Sequence, residues 1–329
     1  MSDTPRKSYF ETRFAPGGLN EEIAAWLKKS QEHPYKPAWE IPVSEARAQS
    51  RTMLLEEWAG TRIEALKQVK DVVASTGQHT VPVRVYVPEG KGAFPLTLFV
   101  HGGGWVVCDL DTHDNLCRAL CVNARAIVIS VGYRLAPEHP YPAGLDDVYT
   151  AAQWAVREAW TLGADSSRIA VAGDSAGGNL SAAFTQLCRE RGDLNLRYQL
   201  LIYPVTDISS FDRQSYTEFG EGYVVTAEEM KWYARHYVPD ASKRADPLVS
   251  PLLCADFAGL PSTHVITAEF DLLRDEGEAY ARRLHEAGIP VTCTRFNGMT
   301  HGFMSMDGIT EKSAEAVAYA AEMLRIALY

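Results

Sequence analysis

The chain has no paired-cysteine signature. Its six cysteines, Cys108, Cys117, Cys121, Cys188, Cys254 and Cys293, include no C-x-x-C pair, so their spacing supports neither a zinc site nor a redox motif. Most lie in apolar segments, which suits buried, reduced thiols. No run of lysine and arginine interleaved with aromatics occurs, and 32 basic residues against 42 acidic ones leave a formal net charge of -10. That balance excludes nucleic acid and anionic membrane surfaces as expected partners. No apolar stretch approaches the ~20 residues needed to span a bilayer. Met1 to Phe14 is polar, without the apolar core of a secretory signal, and with the unpaired cysteines this points to the cytoplasm. No linker, internal repeat or low-complexity tract divides the 329 residues. A single domain over 1–329 is therefore expected, long enough to bury roughly three quarters of its unfolded surface.

What the chain does carry begins with two helical patterns. The first, over 20–32, places Ile23, Trp26 and Leu27 on one face, and the second covers 44–59, with Ser44 positioned to cap it. No strand accompanies them, so they are expected outside the main sheet as a lid or flank. From Thr80, Val81, Val83, Val85 and Val87 alternate with Pro82, Arg84 and Tyr86, the mark of a half-buried strand near a sheet edge. Apolar runs follow at 96–100, 126–131, 168–172, 199–203, 264–269 and 291–296. Helical patterns at 115–124, 144–160, 179–191, 274–287 and 311–327 accompany them. Strands alternating with helices imply an α/β fold, a mostly parallel sheet with helices on both faces. Residues 207–250 interrupt the alternation with aromatic-rich sequence holding one helix, 226–237, and a connection this long is expected to carry a binding loop or lid.

The chemistry starts at Gly173-Asp174-Ser175-Ala176-Gly177, a Gly-x-Ser-x-Gly stretch between an apolar strand and a helical pattern. In a nucleophile elbow a strained strand-to-helix turn exposes the serine hydroxyl, and the flanking glycines let strand and helix approach. The pattern alone arises by chance in roughly one chain of this size in ten, so its strand-to-helix context matters. A serine needs a base, and the base needs a carboxylate to hold its tautomer. Of nine histidines, His301 lies between the last strand and last helix, where a loop emerges at the carboxyl ends of parallel strands beside Ser175. His33, His79, His113, His139, His236 and His285 suit surface or packing roles, and His264 opens a strand. Asp271 directly follows the strand before His301, whereas Glu269 lies within that strand and Asp275 enters the next helix. His101-Gly102-Gly103-Gly104, after the 96–100 strand, brings backbone close enough to supply oxyanion donors. Gly102 and Gly103 are assigned that role, with Ala176 as the third donor, while His101 is expected to fix the loop by hydrogen bonds. Trp105, Phe211, Tyr216, Phe219 and Tyr223 are candidate pocket aromatics, while Trp26 and Trp232 read as helix-core residues.

In order, His101-Gly102-Gly103-Gly104-Trp105, Asp111-Thr112-His113-Asp114, Tyr133 to Pro140, Gly173 to Gly178, Asp271 to Gly277 and His301-Gly302-Phe303 resemble the hormone-sensitive-lipase-like family of bacterial esterases. That family belongs to the α/β-hydrolase superfamily, whose triad order is serine, acid, histidine. The resemblance runs from about Val81 to the C-terminus. It implies a serine carboxylesterase acting on short to medium acyl chains through an acyl-enzyme, with no cofactor and no metal, and a helical cap built from about 1–60 and 207–250. Catalytic residues would be Ser175, Asp271 and His301. Tyr133 to Pro140 reads as a structural loop buttressing the oxyanion turn. Leu272 stands where the family often has proline, and Cys108 where a glycine is common beside the pocket, which bears on substrate range. Two other readings stay open: an amidase or peptidase on short acylated amines, and a non-catalytic small-molecule receptor of the same fold. The oligomeric state is open too: the late strand and final helix offer a homodimer edge, or the helix simply covers the sheet.

Overall fold

A computed structural model describes residues 8–77 and 79–329. Among the described residues nine strands form one sheet: β1 (Phe10–Arg13), β2 (Gln68–Ser75), β3 (Thr80–Val87), β4 (Phe94–Val100), β5 (Ile127–Val131), β6 (Ala164–Asp174), β7 (Tyr198–Ile202), β8 (Ser262–Phe270) and β9 (Val291–Thr300). Their order across the sheet is β1-β9-β8-β7-β6-β4-β5-β3-β2. Only β3 runs against its neighbours; every other pairing is parallel. Every residue of β4, β5 and β7 is buried, which is why they read as continuous apolar runs: a parallel sheet covered on both faces has no solvent side.

Alternation along each strand divides the core in two. Leu96, Leu98 and Val100 join Ile129 and Val171 on one face, packed under α4 (Ala143–Leu162) and α5 (Ala176–Arg191). Phe99, Val128, Ala170 and Ala172 point to the other, under α3 (Asp114–Ala124) and α9 (Glu311–Leu328). Helix α8 (Arg274–Glu286) closes the far end through Tyr280, Ala281 and Leu284.

Above the carboxyl ends of the strands lie α1 (Glu21–Glu32), α2 (Val43–Thr52), which continues as a π-helix over Met53–Trp58, and α7 (Ala227–Tyr237). The expected helices are present, with corrections. Asn20 caps α1, accepting from Ile23 N–H at 3.0 Å, but Ser44 does not cap α2, which starts from Pro42 without a side-chain cap. The amino end is not free of strands: β1 pairs in parallel with β9, Phe10 opposite Cys293 through Arg13 opposite Phe296. The late strand, which with the final helix was one candidate dimer edge in the sequence, is paired on its outer side by β1 of its own chain. The 207–250 insertion holds a second helix, α6 (Gln214–Phe219), besides α7.

Candidate active site

Ser175 sits at the β6–α5 turn with φ +53° and ψ -120°, a conformation a non-glycine residue holds only when its surroundings impose it. The two glycines make it attainable. A Cβ on Gly173 would lie 2.4 Å from Gly177 O, and one on Gly177 would lie 1.9 Å from Val100 O. Ser175 N–H donates to Ile202 O at 2.9 Å, tying the turn to β7. Asn179 Nδ2 then holds Val205 O and Val249 O at 3.1 and 2.9 Å.

The structure brings the three residues chosen from strand order into one line. His301 Nε2 lies 3.0 Å from Ser175 Oγ, and His301 Nδ1 lies 2.8 Å from Asp271 Oδ2. Asp271 is further fixed by accepting Leu273 N–H at 2.9 Å. Burial pulls the His301 imidazole down, but the charge and hydrogen bond of Asp271, with help from Asp174 and Glu229, hold it above its ordinary value of 6.5. Tyr203 tilts over the imidazole with ring centroids 4.8 Å apart. Glu269 instead accepts Gly298 N–H at 2.7 Å, and Asp275 accepts Ser215 N–H at 2.9 Å, so neither competes for His301.

The glycine loop requires one correction. Gly102 N–H donates to Asp174 Oδ1 at 2.9 Å, so that amide is already used. Among the described residues, no acceptor is found for the amides of Gly103, Gly104 or Ala176, and Gly103 and Gly104 border the cavity that contains Ser175 whereas Gly102 does not. Gly103 has φ +98°, and a Cβ on Gly104 would lie 2.2 Å from the Tyr233 ring. Asp174, read from sequence only as a family marker, is the residue that orients this loop. Its Oδ2 faces His113 Nε2 at 3.3 Å, so His113 is a buried member of this network rather than a bland packing residue. Nothing in its sequence neighbourhood announced that contact. His101 does fix the loop: its Nδ1 reaches Gly102 O at 2.8 Å, and Tyr133 Oη donates to His101 O at 2.9 Å.

A cavity of about 390 Å³ opens above Ser175 and His301. Cys108 and Tyr223 border it. Trp105 does not; it stacks on Tyr237 with centroids 4.3 Å apart, a core contact. Phe211, Tyr216 and Phe219 also stay outside, packed among themselves and on Phe270 and Tyr223. Trp26, read as a core residue, instead faces the cavity, as do Trp58 and Tyr233. Among the described residues no cluster of His, Cys, Asp or Glu is arranged to hold a metal ion, and no helix is long and apolar enough to cross a membrane.

Comparison with known proteins places this geometry in a family. A family model described as the alpha/beta hydrolase fold matches residues 97–305. The carboxylic ester hydrolase LipN of Mycobacterium tuberculosis is 46% identical over 232 residues, covering 69% of this chain and 61% of LipN. The carboxylesterase NlhH of the same species is 42% identical over 261 residues, 78% of this chain and 82% of NlhH. A thermostable esterase from Pseudomonas putida ECU1011 superposes with a TM-score of 0.90 at 35% identity, over 96% of this chain and 99% of that one. These relatives do not favour the amidase or receptor readings. The chain belongs to the hormone-sensitive-lipase-like family of the α/β-hydrolase fold, and it is a carboxylic ester hydrolase.

Proposed function

We propose that Ser175 is the nucleophile, His301 the general base and acid, and Asp271 the carboxylate that orients it. The observation that carries this reading is the unbroken chain Ser175 Oγ, His301, Asp271 at 3.0 and 2.8 Å beneath the cavity. His301 takes the serine proton as Oγ attacks the ester carbonyl. The amides of Gly103, Gly104 and Ala176 hold the oxyanion; their lack of other acceptors and the use of Gly102 N–H by Asp174 support this set over the one containing Gly102. His301 then protonates the leaving alcohol and activates the water that frees the acid.

Substrates are small carboxylic esters of short to medium acyl chain. A cavity of about 390 Å³ is at the small end of ligand sites, and it is roofed by residues of α1, α2, the π-helix and α7. We assign these to a cap on one catalytic domain, drawn from about 20–59 and 207–250. Residues 1–7 of the expected cap segment lie outside the described residues, and β1 belongs to the sheet. Six free buried thiols support a reducing location, the cytoplasm. The test is initial hydrolysis rates on p-nitrophenyl esters from acetate to palmitate beside Ser175→Ala. A maximum at short or medium chains, reduced ~10⁴-fold or more in the variant, is expected; near wild-type rates in Ser175→Ala would refute the assignment.

A further inference from the structure

Two arginines one turn apart on α2 are bonded to the loop that carries the oxyanion glycines. Arg47 Nε donates to Val106 O at 2.8 Å and its Nη2 to Ala136 O at 3.0 Å, while both Nη atoms reach Glu138, at 2.9 and 2.6 Å. Arg51 bonds Asp109 and, at 3.1 Å, Asp111. These partners are structurally connected to the donors. Val106 and Val107 N–H both donate to Gly103 O at 3.0 and 2.9 Å, and Ala136 N–H donates to Trp105 O at 2.9 Å. Asp109 Oδ1 accepts Asp111 and Thr112 N–H at 3.0 and 3.1 Å. Thr112 Oγ1 meets His113 Nδ1 at 3.0 Å, and His113 faces Asp174, which holds Gly102. One helix is thus fastened to segment 102–113 at two places.

The same helix presents Ala46, Gln49 and Ser50 to the cavity, so one rigid element touches both substrate space and oxyanion loop. An ordinary half-exposed ion pair contributes little, and Arg47–Glu138 taken alone is of that kind. The donations to Val106 O and Ala136 O are different. The first fixes a carbonyl of the loop whose amides must be aimed to within a fraction of an ångström, and the second fixes the residue whose N–H holds Trp105 O of that loop. Arg51 adds a bond to the carboxylate of Asp109, which itself folds the 109–112 turn. We propose that Arg47 and Arg51 are positioning residues for ester hydrolysis: they hold segment 103–112 in register, so that the oxyanion donors are assembled only when α2 is docked. This rests on the assignment of Gly103, Gly104 and Ala176 as those donors.

The test uses p-nitrophenyl acetate, the ester with the smallest acyl group in the series. In Arg47→Met and in Arg47→Met/Arg51→Met, kcat is expected to fall about tenfold or more while KM stays within about twofold. Phosphonylation of Ser175 by a p-nitrophenyl phosphonate, which builds the same oxyanion, should slow in parallel. The acid limb of the kcat/KM profile should not move, since His301 and Asp271 are untouched. A raised KM with kcat retained would make α2 a mere binding wall, and a displaced acid limb would mean that the triad had been disturbed; either result overturns the proposal. Arg51→Met removes only half-exposed contacts, so it tests the idea even where Arg47→Met fails to fold. Its kcat is expected to drop about threefold, and an unchanged kcat overturns the proposal. If hydrolysis persisted in Ser175→Ala the underlying mechanism would fail, whereas Ser175-dependent hydrolysis with an arginine effect on KM alone defeats only this inference.

Discussion

At the scale of single residues the site is governed by who holds whom. His301 must be neutral to accept the Ser175 proton, and Asp271, with weaker help from Asp174 and Glu229, outweighs burial to hold the imidazole pKa above 6.5. The acid limb of kcat/KM should therefore lie above pH 6.5, activity falling as pH drops through it. Asp271→Asn removes the charge and presents an amide that can stabilise the wrong tautomer. Its kcat should fall ~10⁴-fold, and the residual acid limb should move to lower pH; a limb that stayed in place would show that Asp271 does not set it. The three residues proposed as the triad could be chosen from the sequence because each follows a strand of a parallel sheet, and such positions converge at the carboxyl ends. The choice of Gly104 over Gly102 as a proposed donor was not legible there. Gly102, Gly103 and Gly104 are equivalent on paper, and what separates them is the carboxylate of Asp174 across the elbow, 2.9 Å from Gly102 N–H.

At the scale of elements, the strands buried on both faces were readable as apolar runs and β3 by its alternation, whereas the mainly exposed β1 and β2 were missed. Strand β2 presents a burial pattern of mostly exposed and half-buried positions, with Val73 62% exposed, so its pairing with β3 comes from the backbone rather than from patterning. Strand β1 is only four residues long and mainly exposed. Aromatic residues misled for a related reason. Helical spacing puts Trp26 on an apolar face, but that face roofs the cavity, while Trp105, next to the glycine loop in sequence, turns away into the core at φ +61°. Where the roof comes close, it should set substrate length. Met53 opens the π-helix and borders the cavity, so Met53→Trp is expected to move the p-nitrophenyl ester optimum to shorter chains, with acetate hydrolysed and the longest wild-type substrates lost. An unchanged chain-length profile would show that acyl chains run elsewhere.

For the whole molecule, buried titratable groups that take no part in catalysis set the pH range of stability. His101 and His264 are both fully buried, and burial, aided at His101 by the neighbouring His113 and at His264 by Arg13, lowers each to about 4. The unfolded chain therefore binds more protons between about pH 4 and 6.5, and stability rises with pH across that window. Glu276 works in the opposite direction. Burial raises it to about 8, despite donations from Thr206 N–H at 2.7 Å and Asp207 N–H at 3.3 Å. Between about pH 4.5 and 8 the folded chain holds the extra proton, so this group costs stability as pH rises. The raised His301 adds to the alkaline decline, its contribution complete below pH 6.5 and lost as pH climbs through the folded value. The two histidines and Glu276 thus pull the unfolding midpoint in opposite directions between about pH 4.5 and 6.5, and above pH 6.5 Glu276 and His301 lower it together. Glu276→Gln separates the parts. Its carbonyl still accepts from Thr206, but its amide is buried where Oε2 has no partner, so the variant should be less stable than the wild type at pH 5. The difference in midpoint should then shrink steadily towards pH 8.5, because only the wild type must ionise or retain a buried proton. A difference that did not change with pH would mean that Glu276 titrates normally in the fold.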